Sequence, residues 1–421
     1  MFKKFLIAVA SIFLFTTAAK AQVVKIGLNY PKTGPYSVQG LAQLRAAEMA
    51  VDEINQSGGI LGRKIQLIVR DSKSKADLAK RNVEELIDKE GCEIIFGGSA
   101  SSVAIAGGKA AKSRGKLYFG TLTYSNATTG VEAHKYMFRE CYNAWMGAKV
   151  LSEFLKEHYS GKRYFYVTAD YTWGWTTEAS IRKFSRSLDK KRHKRVLTPF
   201  PGAKEEDFRK ALDKARSSSA EVLVLVLFGK DMANALKLAT DMGLKKKMDI
   251  VVPNLTLGMA ESAGPKAMEG VVGALPWFWK IPTIYNYPKG KEFVEKFASK
   301  YQSYPSTSAA SAYTILHQYK SAVERAGTFE TKAVISTLEG HKFTSLKDEQ
   351  VWRAFDHQAI QTVYAVKGKP QSEVLKSKFK QDYFEIMKEM KGEKAARSEL
   401  RWTRVRQAAG KPIVLDWSTS Q

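Results

Sequence analysis

Along this chain, short unbroken apolar runs take turns with stretches in which apolar residues recur every three or four positions. Val23 to Leu28 reads as a strand; Leu41, Leu44, Ala47, Val51 and Ile54 then fall at helical spacing, and Gly58-Gly59 stops them. Lys64 to Arg70 is the next strand, Lys75 to Glu90 an amphipathic helix, and Ile94–Phe96, Leu117–Phe119 and Tyr136–Arg139 are further strands. This alternation predicts an α/β fold with a doubly wound parallel sheet.

A second series begins after Cys141. Ala144 to His158 reads as helix, Arg163 to Thr168 as strand, and Thr176 to Leu188 as helix; Val196 to Pro199 is strand and Asp207 to Ser217 helix. Glu221 to Leu227 is intensely apolar and predicts a buried strand, followed by a helix over Met232–Met242 and a strand over Asp249–Val252. The second series thus winds like the first, without a repeat in sequence. Beyond Pro276 come helices at Gly290–Tyr301, Ser306–Gly327 and Glu330–Leu338, with strand-like Val351–Phe355 and Thr362–Val366. A charged segment follows Pro370, with helical patterning over Tyr383–Lys394, and reads as a docked or partly mobile tail outside the core.

Two strands of the first series end in small hydroxyl-rich turns, Gly97-Gly98-Ser99-Ala100-Ser101-Ser102 and Gly120-Thr121-Leu122-Thr123-Tyr124-Ser125. The carboxyl ends of adjacent parallel strands are where open α/β sheets bind ligands. Free N–H groups at the following helix start add donors for an anionic or carbonyl group. Ser and Thr at such places also cap helices, so it is the pairing of the two turns that points to a site.

Composition narrows this picture. Phe2-Lys3-Lys4, the apolar run to Phe15 and Ala19-Lys20-Ala21 make a secretory signal with expected cleavage after Ala21, too short in its apolar part to span a bilayer. The mature protein is expected to be exported. Removing three signal lysines lowers the formal charge from +25 to +22. The cations are spread along helices and interleaved with acids, and no nucleic-acid-binding motif is present, so the reading is a solvated basic surface without a nucleic-acid partner. Cys92 and Cys141 are the only cysteines. Parallel neighbouring strands would put them at opposite sheet edges, roughly 15 Å apart, beyond the ~7 Å that a disulfide spans, so both are expected as free thiols.

Catalysis finds little support. His134, His158, His193, His317, His341 and His357 fall into no metal-ligand spacing. No Gly-x-Ser-x-Gly elbow and no phosphate-binding glycine loop occurs, and neither a metal nor a cofactor is expected. His357 beside Asp356 reads as a structural turn pair.

Particular residues resemble those of type I periplasmic solute-binding proteins, the branched-chain amino-acid and amide receptors of ABC importers. The match runs through Pro31-x-Thr33-Gly34-Pro35 with Gly40, Ala50-x-Asp52-Glu53-Ile54-Asn55, Gly58-Gly59-Ile60-x-Gly62 and Asp71, then Asp170-x-x-Trp173-Gly174, Met268-Glu269-Gly270 and Phe355-Asp356-His357-Gln358. The resemblance implies two such lobes joined by three crossovers. Lobe 1 would be 24–141 with 276–348, lobe 2 would be 142–275 with 349–368, and 369–421 a C-terminal extension. It further implies a ligand clamped between the lobes by Gln39, Ser101, Ser102, Thr123, Tyr124 and Ser125 on one side. On the other stand Trp173 as a lid, Phe228 and Asn254. The partner implied is an ABC membrane permease, and the protein is expected to be a monomer.

One departure bears on the ligand. Amino-acid binders of this family carry an acid in the loop that here reads Val252-Pro253-Asn254-Leu255-Thr256. Burying an ammonium without a carboxylate is expensive, and only Asp170 or Asp231 stands by as a substitute. Tyr171, Trp173, Trp175, Tyr124, Phe228 and Trp277 favour a flatter or more apolar solute, such as an amide or aromatic acid. The alternative on the same scaffold is a carrier or sensor for a larger, lipid-like solute, which would need an apolar channel.

Overall fold

The computed structural model describes residues 23–420. The expected signal segment and its cleavage site lie outside these residues. The first sheet contains β1 (Val24–Tyr30), β2 (Ile65–Asp71), β3 (Ile94–Gly98), β4 (Leu117–Thr121) and β5 (Met137–Arg139), all parallel, in the order β2-β1-β3-β4-β5.

Alternation along these strands divides the core. Ile95, Tyr118 and Met137 join Val83, Leu86, Ala104 and Ala110 under the helices Ala76–Asp88 and Ser101–Lys112. Ile94, Phe96, Leu117, Phe119 and Phe138 belong to the main core, and β3 and β4 there meet the helix Thr307–Ala326, which packs on Ser37–Gln56. A period of two sends neighbouring side chains to opposite faces, so helices cover both.

The second sheet is built from β6 (Tyr164–Ala169), β7 (Arg195–Thr198), β8 (Val222–Val226), β9 (Asp249–Val252) and β10 (Val272–Leu275), again parallel. A small antiparallel ribbon, β11 (Lys342–Phe343), β12 (Gln350–Trp352) and β13 (Ala359–Ile360), precedes two more strands, β14 (Val363–Gly368) and β15 (Phe384–Met390). β14 runs antiparallel to β10 and β15 antiparallel to β14, giving the order β15-β14-β10-β9-β8-β6-β7.

β15 corrects the helical reading of Tyr383–Lys394. Phe384 and Met390 are buried at its two ends, and the open edge of β14 supplies a ladder that local helical spacing cannot outweigh. The tail also does more than dock. After β15, the helix Glu399–Ala408 returns to the first sheet's side: Trp402 Nε1 donates to Thr129 O at 2.9 Å, and Tyr136 OH donates to Trp417 O at 3.1 Å.

The chain passes between the two sheets after β5, after β10 and after β13. Lys347 ties two of these passages together, since its buried ammonium donates to Pro276 O at 2.7 Å and to Thr362 O. Gln361 Nε2 reaches the remaining one, donating to Glu140 O at 2.7 Å.

Both cysteines are buried free thiols, and burial pushes the Cys92 thiol up to about 12. His357 is structural, with a different partner from the one its sequence neighbour suggested. Its Nε2 pairs with Glu339 Oε1 at 2.7 Å and its ring stacks on Phe138, while Asp356 takes Arg353. Among the described residues, no helix is long and apolar enough to cross a membrane.

Candidate functional site

The two hydroxyl-rich turns lie side by side at the ends of β3 and β4. Gly97 makes the first possible: it sits at φ +129°, and a Cβ there would lie 2.1 Å from Asn29 O. Gln43, from the helix Ser37–Gln56, joins both turns by donating to Ser99 Oγ at 2.6 Å and accepting from Thr121 Oγ1 at 3.0 Å.

Several of the expected contact residues also hold these turns. Ser101 Oγ accepts from Ser125 N at 2.9 Å, and Thr123 Oγ1 shares a hydrogen bond of 2.8 Å with Thr128 Oγ1. Ser102 is half-buried on the first helical turn. Arg139 braces the second turn from behind, donating to Thr123 O at 2.8 Å and to Ser125 O, with Nε on Gln358 Oε1 at 2.7 Å. Fully buried, its guanidinium is drawn down to about 10.

Across from the turns stand residues of the second sheet's loops, and the two sides touch. Ser125 Oγ lies 3.0 Å from Thr172 Oγ1 and 3.2 Å from Thr176 Oγ1, and Asn126 Nδ2 donates to Ser180 Oγ at 2.8 Å. Tyr36 OH meets Tyr171 OH at 2.7 Å, Lys230 N donates to Pro35 O at 2.9 Å, and Gln39 Nε2 reaches Thr256 Oγ1 at 3.4 Å.

Phe228 is the centre of this meeting. Its ring lies 5.1 Å from Tyr36, 5.7 Å from Tyr124 and 5.9 Å from Trp173, each near edge-on, and Tyr124 in turn meets Tyr142 at 5.0 Å. Such tilted contacts are the favourable geometry for aromatic quadrupoles. Tyr171 stacks on Phe200 at 4.0 Å and completes one wall.

Where the two sides meet, four polar atoms are buried without a hydrogen-bond partner: Tyr124 OH and Trp173 Nε1 on rings of the aromatic box, Gln39 Oε1 beside Thr256, and Asn254 Oδ1 beside Tyr142. Each leaves an unmet desolvation cost of about 1–3 kcal/mol. Two come from the first sheet's side and two from the second's. Asn254 is fixed through its other atom, donating from Nδ2 to Tyr142 OH at 2.6 Å.

Of the two acids able to substitute in the loop, Asp170 is exposed and accepts from Trp175 Nε1 at 2.8 Å. Asp231 is buried, makes no side-chain hydrogen bond among the described residues, and is raised to about 7 by burial. Trp175 is half exposed and Trp277 packs on Phe293, so neither joins the box. No group of His, Cys, Asp and Glu among the described residues is arranged to hold a metal ion.

Sequence reasoning did not single out Tyr36, Gln43, Arg139, Tyr142 or Phe200. Tyr36 directly follows the Pro31–Pro35 motif and was within reach of it; the others act through partners distant in sequence, such as Gln358 for Arg139 and Asn254 for Tyr142, which no local pattern encodes.

The family model described as periplasmic binding protein matches residues 23–373. The chain belongs to this family. Its members are the solute-binding proteins that capture small molecules and deliver them to ABC import permeases, and this protein is one of these receptors. It is 24% identical over 360 residues to the Leu/Ile/Val-binding protein homolog 4 of Brucella melitensis, covering 81% of this chain and 83% of that one. A crystal structure of a periplasmic binding protein from Burkholderia mallei superposes with a TM-score of 0.81 at 25% identity, covering 90% of this chain and 97% of that one. The Rhodopseudomonas palustris solute-binding protein solved with benzoate gives 0.75 at 20% identity, covering 88% and 97%. This receptor thus shares its fold with both. The family match stops before β15, although β15 completes the second sheet.

Proposed function

We propose that this receptor takes a small solute with a flat or apolar body and one polar handle, an amide or aromatic acid, between lobe 1 (24–141 with 276–348) and lobe 2 (142–275 with 349–368). The observation that carries this reading is the set of four unpartnered buried atoms where the two sides meet: Tyr124 OH and Trp173 Nε1 as donors, Gln39 Oε1 and Asn254 Oδ1 as acceptors. A primary amide meets donors and acceptors together, an ionised carboxylate meets the two donors, and the body of either would lie against Tyr36, Phe228 and Trp173. A zwitterionic amino acid fits less well, because the Asn254 loop carries no carboxylate and Asp231 is held partly protonated near neutrality. Because the handle is gripped from both lobes, binding favours the closed arrangement that a permease recognises, with the receptor acting as a monomer.

The test is a thermal-shift screen against aromatic acids, primary amides and standard amino acids. A ligand bound only by the native state raises apparent stability, by about 2.7 kcal/mol at a hundredfold excess over Kd. Aromatic acids or amides are expected to raise the unfolding temperature. A response confined to zwitterionic aliphatic amino acids would contradict the proposal.

A further inference from the structure

A second cavity, of about 280 Å³, lies where the loop after Ser125, the helices Ala144–Tyr159 and Thr172–Phe184, and the C-terminal helix Glu399–Ala408 converge. Val131, Trp145, Ala179, Lys183, Arg397 and Val405 are among its walls, and neither Gln39, Tyr124, Trp173, Phe228 nor Asn254 takes part.

Its electrostatics are one-sided. Arg401, Arg397 and Lys183 stand 4.7, 4.9 and 5.3 Å from the centroid of the single Trp145 ring. None of the cavity's lining residues is acidic. The nearby carboxylates are engaged elsewhere, Asp356 by Arg353 at 2.8 Å and Glu153 by Lys394 at 3.6 Å. Each cation–π contact is worth about 0.5–1 kcal/mol at an exposed site, and mutual repulsion of three cations opposes that gain.

Two N–H donors on the same walls also lack acceptors: Trp145 Nε1, on a side chain only 8% exposed, and Arg397 Nε. A buried donor without an acceptor is costly, and an anion here would satisfy both donors and offset the charge. The other walls, Val131, Ala179, Val405 and the indole, are apolar. We propose that this cavity is a second binding site, for a small organic carboxylate. An anion held there touches both sides of the main cleft and the C-terminal helix at once, so it favours their contact and couples positively to cleft binding.

Calorimetric titration of the full-length Trp173→Ala protein with benzoate, and separately with inorganic phosphate, tests the assignment. With the main cleft crippled, benzoate is expected to bind at one site. That binding should weaken at least tenfold in Trp173→Ala carrying Arg397→Gln and Arg401→Gln, or carrying Ala179→Phe. The last change fills the cavity from an exposed helix position and spares the arginines. Absence of benzoate binding in Trp173→Ala, or binding undiminished by Ala179→Phe, overturns the site; preference for phosphate overturns the carboxylate class.

Discussion

Tyr124 joins a packing role to an unmet polar one. Its ring packs between Tyr142 and Phe228, while its hydroxyl is buried without a partner. Tyr124→Phe should therefore act with opposite signs on two quantities. Unfolding free energy is expected to hold or rise by up to about 1 kcal/mol, whereas solute affinity falls about tenfold through the lost hydrogen bond. Urea denaturation and calorimetry on the same preparation check both. Asp231 gives a pH signature. Its carboxyl ordinarily titrates near 3.9 and is raised to about 7 here. Over that window the unfolded chain sheds a proton that the folded one keeps, so this group's contribution lowers stability as pH rises from about 4 to about 7. Asp231→Asn should gain on the native protein by roughly 3 kcal/mol between those limits; equal pH profiles would contradict it. Gln39, Trp173, Phe228 and Asn254 sit at fixed offsets from strand ends and motif glycines, so their placement where the two sides meet was legible in the sequence. The bonds of Ser101 and Thr123 within the turns were not legible, because a hydroxyl's partner is decided by neighbouring groups, such as Ser125 N and Thr128 Oγ1, and not by residue type.

At the scale of elements, Arg139 and Lys347 hold the cleft's framework. Arg139 ends β5 and pins the Thr123–Ser125 turn; Lys347 pins the passages after β10 and β13. Burial draws the lysine down to about 8, yet three acceptors around it require the donors it supplies. Lys347→Met is expected to cost about 3 kcal/mol of unfolding free energy by leaving carbonyls unpaired, measured by urea denaturation; a loss below about 0.5 kcal/mol would remove Lys347 from this role. The parallel strands were readable as apolar runs because helices bury both their faces. β15 was not, because Phe384, Ile386 and Met387 satisfy helical and extended spacing alike, and only the free edge of β14 decides between them. The return of Glu399–Ala408 to Thr129 likewise depends on contacts 273 residues apart in sequence.

For the whole molecule, two wound sheets with three passages between them meet at an aromatic box, where the proposed solute would bind. The box draws on both sides, Tyr36 and Tyr124 from one and Trp173 and Phe228 from the other. A solute held by only one side has no means of shifting the balance between open and closed arrangements. The C-terminal segment, reaching from the second sheet to Thr129 and Tyr136, adds a further connection between the sides. The most direct measurement is the affinity of Trp173→Ala, set beside the native protein, for the strongest solute from the thermal-shift screen. Loss of at least about a hundredfold, roughly 2.7 kcal/mol, with cooperative unfolding retained, is the predicted result. An unchanged affinity in a folded variant would contradict the two-sided cleft.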